Sequence, residues 1–112
     1  DWRKRIPLLG SPAGTGGLSG PAIKPLALQA VRRAASAVRI PVIGIGGIRN
    51  ADDVMEFVVA GAAAVQVGTQ NFVDPGAAVT IVDRLEEWAA TGLVPSISAL
   101  RGTLRSPRPD RS

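Results

Sequence analysis

The spacing of apolar residues in the first half of the chain predicts a helix that begins at Pro21. Polar side chains fall between the apolar positions, so that one face is apolar and the other polar. The apolar positions are Ile23, Ala27, Ala30, Val31, Ala34 and Val38. Pro25 has to lie in the first turn or just ahead of it, because a proline deeper in a helix removes a backbone hydrogen bond.

Two short apolar runs follow, and each predicts a strand. Residues 42–45 (Val-Ile-Gly-Ile) and residues 62–67 (Ala-Ala-Ala-Val-Gln-Val) are apolar at nearly every position. Such runs are typical of strands that are buried on both faces in a parallel sheet. Gln66 is an exception, since a buried amide needs hydrogen-bond partners. We expect Gln66 to point into a barrel interior or a packing layer.

Each predicted strand is followed by a segment whose apolar spacing predicts a helix. After the first strand, Asn50 is the expected N-cap and Gly61 the expected end. Asp52 and Asp53 lie in the first turn, where the helix dipole favours acids. We interpret them as helix-start acids and not as a catalytic pair.

After the second strand, Asp74 is the expected N-cap and Pro75 lies in the first turn. The apolar face of this helix comprises Ala78, Ile81, Val82, Leu85, Trp88 and Ala89. Trp88 is therefore expected in the core. A last short helix is predicted from Ser96 to Leu100.

The two ends of the chain and one internal segment carry weaker signals. Residues 1–10 are predicted to form a short strand or hairpin arm, and residues 10–20 a glycine-rich loop. Residues 105–112 are rich in Arg, Ser and Pro, which predicts a disordered basic tail.

The order of helix, strand, helix, strand, helix predicts an α/β fold with parallel strands. Two strands alone would leave both edges of the sheet bare. At 112 residues the chain is also too short for a complete (β/α)8 barrel, which needs about 250 residues. We therefore expect it to be a fragment of a larger sheet.

Composition excludes several kinds of chemistry. The chain has no Cys and no His, so it can build neither a thiolate metal site nor a Ser-His-Asp triad by itself. We expect no metal site, no signal peptide and no membrane span. The net charge is +4, and much of it lies in the C-terminal segment. A non-enzymatic phosphate- or nucleic-acid-binding module that uses these basic ends is one alternative.

The strongest candidate for chemistry is a pair of turns, Gly46-Gly47 and Gly68-Thr69. Each turn directly follows a predicted strand, and the two lie 22 residues apart, about one strand–helix repeat. Glycine lets backbone N–H groups approach an anion closely, and the Thr69 hydroxyl adds a donor. Phosphate sites recur in the last loops of (β/α)8 barrels. Either turn alone is equally well explained as a tight turn, but together they favour phosphate binding.

Two residues at the start of the first helix are weaker candidates. Gly20, between Ser19 and Pro21, could bring backbone close to a flat ring, although a helix N-terminus is the better explanation of these residues taken alone. Lys24 could reach an anion, but we expect it to be a solvated lysine.

Three runs together are similar to class 1 dihydroorotate dehydrogenases, most closely to the class 1B catalytic subunit. They are residues 16–25 (GGLSGPAIKP), 40–48 (IPVIGIGGI) and 64–75 (AVQVGTQNFVDP), in the order of the family. The resemblance implies a (β/α)8 TIM barrel that binds FMN, with residues 1–104 as its C-terminal portion (the last two to three strand–helix units). It implies that Gly20 lies against the flavin. Gly46, Gly47, Gly68 and Thr69 would hold its phosphate through backbone amides.

The resemblance also implies an activity for the whole protein. This is the oxidation of (S)-dihydroorotate to orotate in pyrimidine synthesis, in the cytoplasm, by a homo-oligomer or heterotetramer. The catalytic cysteine would lie upstream, so that no catalytic residue is expected in this chain and the fragment alone would be inactive. A class 1B enzyme would pass electrons to an FAD- and iron–sulfur-containing subunit. Membrane and nucleic-acid partners are not expected. The alternatives are a dihydropyrimidine dehydrogenase-like flavoenzyme and a phosphate-binding barrel without flavin.

Overall fold

The computed structural model describes residues 1–10, 14–94 and 96–105, and it shows a mixed helix–strand fold. The helices are α1 (Lys24–Ala37), α2 (Ala51–Ala60), α3 (Gln70–Val73) and α4 (Ala77–Ala90), and the strands are β1 (Ile43–Ile45) and β2 (Ala64–Gln66). Short 3-10 turns cover Pro21–Ile23 and Ser98–Leu100. The predicted alternation of helices and strands is confirmed. The predicted tail lies outside the described residues, apart from Arg105.

The start of α1 follows from its prolines. Pro21 opens a 3-10 turn, and Pro25 lies at the first positions of α1, where a missing N–H breaks no helical hydrogen bond. The helix ends at Ala37, one residue before the last predicted apolar position, and Val38 is extended. Val31 is the buried residue of its inner face.

β1 and β2 pair in parallel, with Ile43 opposite Ala64 and Ile45 opposite Gln66. The prediction that both strands are buried on both faces is wrong for this chain. Gly44 is buried, but Ile43 and Ile45 are 55% and 54% exposed. Gln66 lies on the same exposed face, so its amide reaches solvent in this chain. No described residue covers this face.

The core lies under the other face of the sheet, between α1 and α2. Its buried residues are Val31, Ile48, Val54, Phe57, Val58, Ala60, Ala62 and Ile81. Phe57 is fully buried and packs against Gly44: a Cβ at position 44 would lie 2.5 Å from the Phe57 ring. A residue larger than glycine would therefore collide with the Phe57 ring at position 44.

The start of α4 differs from the prediction. α3 forms a short extra helix directly after β2, so that α4 begins only at Ala77, with Gly76 at its N-cap. Asp74 does not cap α4, and its carboxylate instead accepts a hydrogen bond from the Gly76 amide at 2.9 Å. Ala77 and Ile81 are the buried residues of α4.

The predicted apolar face of α4 is therefore only partly correct. Leu85 and Trp88 are half-buried, whereas Ala78, Val82 and Ala89 are exposed. The helix packs through a narrower stripe, because few elements of the described chain surround it.

The two ends of the chain also differ from the prediction. Residues 1–10 form turns and bends, not a strand. The Asp1 carboxylate accepts hydrogen bonds from the amides of Arg3 and Lys4, which curls the segment back on itself. The last helix is confirmed in shorter form, as the 3-10 turn Ser98–Leu100. No helix among the described residues is long and apolar enough to cross a membrane.

Candidate functional site

The turns after β1 and β2 line one pocket. Because the strands are parallel neighbours, the loops that leave their carboxyl ends lie side by side. Residues 47–50 and 68–70, with Gly20, Pro21 and Val73, line an open pocket of about 530 Å³. Four of the five predicted site residues, Gly20, Gly47, Gly68 and Thr69, are thus brought together. Gly46 is not among the described lining residues.

Backbone amides without a protein acceptor occur on residues that line this pocket. Within the described parts of the chain, the N–H groups of Gly47, Gly68 and Thr69 have no protein acceptor. Gly47 has a φ of 74° and directly precedes the turn into α2. Neighbouring amides of this kind form a concave site for an anion. The pocket can therefore hold a phosphate without any catalytic side chain.

Gly46 and Gly47 have packing reasons to be glycine, apart from any ligand. A Cβ at Gly47 would lie 2.7 Å from the Gly20 carbonyl oxygen. A Cβ at Gly46 would lie 2.8 Å from the Ala27 Cβ, and both glycines have a positive φ. Any side chain at either position would push α1 away from the turn. These two glycines thus bring the start of α1 against the β1 turn.

Gly68, in contrast, has no packing reason to be glycine among the described residues. A Cβ added at Gly68 would meet no heavy atom of the described residues within 4 Å beyond its chain neighbours, and its φ is in the ordinary range. The space beside it includes the pocket that it lines. The absence of a side chain at Gly68 therefore keeps empty a space that a ligand can enter.

Gly20 closes the third side of the pocket. Its φ of 79° is in the region that favours glycine. A Cβ there would lie 3.8 Å from the Thr69 methyl group, so the start of α1 stands close to the β2 turn. Segments far apart in sequence therefore meet around one space.

Lys24 is not the solvated lysine that we expected. Its Nζ lies 2.5 Å from Asp53 Oδ1 and 2.8 Å from Glu56 Oε2. Its side chain is only 21% exposed. This ion pair joins the start of α1 to α2 on the side of the pocket.

Asp53 fixes the β1 turn through three contacts. It is buried, and its Oδ2 accepts a hydrogen bond from the Arg49 amide at 2.8 Å while its Oδ1 accepts from Lys24. Its own amide donates to Asn50 Oδ1 at 2.9 Å, which confirms the predicted N-cap. Asp52 and Asp53 are helix-start acids, as predicted. Asp53 in addition holds the turn that carries Gly47.

The electrostatic surroundings shift the pKa values of both Lys24 and Asp53. Burial raises the pKa of Asp53, but the hydrogen bonds from Lys24 and from the Arg49 amide lower it more, so the pKa lies below the usual value. The hydrogen bonds to Asp53 and then to Glu56 raise the pKa of Lys24 above its usual value. Both residues are therefore charged near neutral pH.

Stability should fall in acid because of Asp53. A folded-state pKa below the unfolded value means that the ionised carboxylate stabilises the fold above about pH 4, and this is lost as pH falls through the folded-state pKa. Urea unfolding of the chain and of Asp53→Asn should show a constant difference in unfolding free energy from about pH 5 to 7, and a smaller one in stronger acid. A difference that stays constant in strong acid would contradict this assignment.

Sequence reasoning did not single out Arg49, which lines the pocket. Its side chain is 49% exposed, and its Nε lies 3.8 Å from Asp53 Oδ2. Its position, two residues after the Gly46-Gly47 pair, is the sequence feature that could have identified it as a pocket residue. Across the described ranges, no group of three or more acidic residues is placed to hold a metal ion.

Sequence comparisons relate the chain to known proteins. The sequence model of the family described as Dihydroorotate dehydrogenase matches residues 3–88. Two relatives are named Dihydroorotate dehydrogenase B (NAD(+)), catalytic subunit. The one from Trichlorobacter lovleyi is 54% identical over 104 residues, which cover 93% of this chain and 34% of the relative. The one from Geotalea uraniireducens is 53% identical over 104 residues, covering 93% and 33%. The chain spans about a third of the length of these curated relatives.

A solved structure shows the same arrangement of elements. The chain is similar to the dihydroorotate dehydrogenase of Eimeria tenella, determined in complex with ferulenol, with a TM-score of 0.70 and 26% identity. The match covers 84% of this chain and 26% of that one. The parallel strand pair and its helices are therefore an arrangement that occurs within a dihydroorotate dehydrogenase.

Proposed function

The chain belongs to the dihydroorotate dehydrogenase family, and we propose that it is the part of such an enzyme that holds the phosphate of FMN. In this proposal, residues 1–104 form the C-terminal portion of a (β/α)8 barrel, its last two to three strand–helix units. The pocket between the β1 and β2 turns is the phosphate site.

The exposed face of the sheet supports the barrel. Ile43 and Ile45 lie on one face with Ala64 and Gln66, and this face is exposed although two of its side chains are large and apolar. Each strand of a (β/α)8 barrel points one set of side chains into a packed interior. The strands that would complete this interior fit the two thirds of the relatives that the chain does not span.

The pocket residues fit the phosphate of FMN. The amides of Gly47, Gly68 and Thr69 can donate to its oxygens, and Gly20 stands where a flat ring could lie against backbone. The single observation that carries the proposal is Gly68, which lines the pocket in an ordinary backbone conformation with open space where a side chain would be. When bound, FMN supplies the acceptor for a hydride.

The family membership supports a proposed activity for the whole protein. It would oxidise (S)-dihydroorotate to orotate in cytoplasmic pyrimidine synthesis. The base that removes the proton would lie outside this chain, which has no Cys and no His. The resemblance to the family implies that this base is a cysteine. The relatives are named catalytic subunits of an NAD(+) enzyme, which supports a second subunit. In this proposal that subunit contains FAD and an iron–sulfur cluster and accepts the electrons. The role of this chain is to bind and orient the flavin.

A graft tests whether the chain can perform this role. Residues 3–104 would replace the aligned third of the Trichlorobacter lovleyi catalytic subunit; we call this protein the grafted enzyme. We expect it to purify yellow, with about one FMN per chain, and to oxidise dihydroorotate. The 112-residue chain alone should show no turnover. A folded grafted enzyme that binds no flavin, or turnover by the isolated chain, would contradict the proposal.

A further inference from the structure

Arg49 is the one charged residue among the described residues that line the pocket. The other lining residues are glycine, proline, apolar residues and uncharged polar residues. A lone positive charge beside unpaired backbone amides makes the pocket suited to an anion of more than one negative charge.

The other cation near the turn is already neutralised. Lys24 contacts two carboxylates, those of Asp53 and Glu56, at 2.5 and 2.8 Å. Because both acids lie against Lys24, its charge is balanced before any ligand binds. Lys24 therefore holds the turn in place and contributes little net charge to the pocket.

Arg49 is balanced far less well. It forms an ion pair with Asp53, but the 3.8 Å between Nε and Oδ2 is longer than a hydrogen bond. That oxygen already accepts the backbone amide of Arg49 at 2.8 Å. The guanidinium group carries five N–H donors, so most of them remain available to a ligand.

The position of Arg49 is nevertheless fixed. The bond from its amide to buried Asp53 holds its backbone two residues after Gly47, while its side chain is half exposed. A planar guanidinium on an anchored backbone is well suited to bind two oxygens of one phosphate.

On this basis we propose that Arg49 binds the phosphate group of the flavin and selects FMN over riboflavin, which lacks the phosphate. The inference rests on the proposed FMN site and adds a side-chain contact to the backbone amides. Arg49 is a binding and specificity residue here, with no part in the redox step.

The test compares two ligands on the grafted enzyme stripped of flavin. Titration by flavin fluorescence gives the affinity for FMN and for riboflavin. We expect Arg49→Gln to weaken FMN binding about tenfold, since it removes a charge-assisted contact, and to leave riboflavin binding unchanged. Arg49→Lys should recover part of the loss. Added salt should reduce the difference between the wild type and Arg49→Gln, because the side chain is half exposed. Arg33→Gln, on the exposed surface of α1 away from the pocket, is the matched control.

The outcomes separate this inference from the proposed function. If the grafted enzyme binds FMN tightly and Arg49→Gln binds it equally well, the role of Arg49 is refuted and the FMN site stands. Equal losses for FMN and riboflavin would assign Arg49 a structural role and also refute the inference. If the grafted enzyme binds no FMN, both proposals fail.

Discussion

Replacing Gly68 by valine should weaken flavin binding at least about 100-fold in the grafted enzyme while the protein stays folded. The backbone at Gly68 has an ordinary φ, and beyond the chain neighbours no heavy atom in the described parts of the chain lies within 4 Å of the added Cβ. The new side chain would instead occupy the pocket and keep a phosphate from the amides of Gly68 and Thr69. Losing two such contacts, at about 1.5 kcal/mol each or more, weakens binding by at least about 100-fold.

The matched control for this substitution is Gly10→Val. Gly10 also has open space around a Cβ, has no positive φ and does not line the pocket. FMN titrations and urea unfolding of both variants distinguish a blocked site from a damaged fold. Wild-type FMN affinity in Gly68→Val would exclude a phosphate at this turn. A large loss of stability would contradict the expectation that the added side chain enters open space.

Asp53→Ala should destabilise the fold by about 3 kcal/mol, at the lower end of the cost of breaking a buried ion pair. The substitution leaves Lys24 with only Glu56 and removes the acceptor of the Arg49 amide. The turn that carries Gly47 would lose its anchor. We therefore expect the Asp53→Ala variant of the grafted enzyme to bind FMN more weakly and to unfold at a lower urea concentration than the wild type.

Asp52→Ala is the matched control for Asp53→Ala. Asp52 lies in the same first turn of α2 but is exposed. Asp52→Ala should cost only about 0.3–1 kcal/mol, the usual value of an acid near a helix N-terminus. Similar losses in the two variants would show that the buried contacts of Asp53 contribute no more than its charge.

Local sequence rules predicted the elements whose causes are local. Asn50 caps α2 through a bond to an amide three residues away, and Gly61 ends the helix with a φ of 123°. Both depend on near neighbours, so residue type alone indicates them. The same holds for the two glycine turns, because neighbouring parallel strands must end at the same edge of the sheet.

Contacts between distant residues were not predictable in this way. Lys24 and Asp53 are 29 positions apart, and nothing near Lys24 in sequence indicates that an acid will bury beside it. Gly46 is a predicted ligand-binding residue, and its packing against α1, where an added Cβ would lie 2.8 Å from the Ala27 Cβ, is a contact that its local sequence does not indicate. The exposure of Ile43 and Ile45 was not predictable for a different reason. Their apolar side chains predict burial, but no described residue packs over them.

A crystal structure of the grafted enzyme with FMN is the most direct test of the central claim that two adjacent backbone turns hold one phosphate. We expect phosphate oxygens within about 3 Å of the amide nitrogens of Gly47, Gly68 and Thr69. A flavin phosphate bound elsewhere, with these amides facing solvent, would contradict the account.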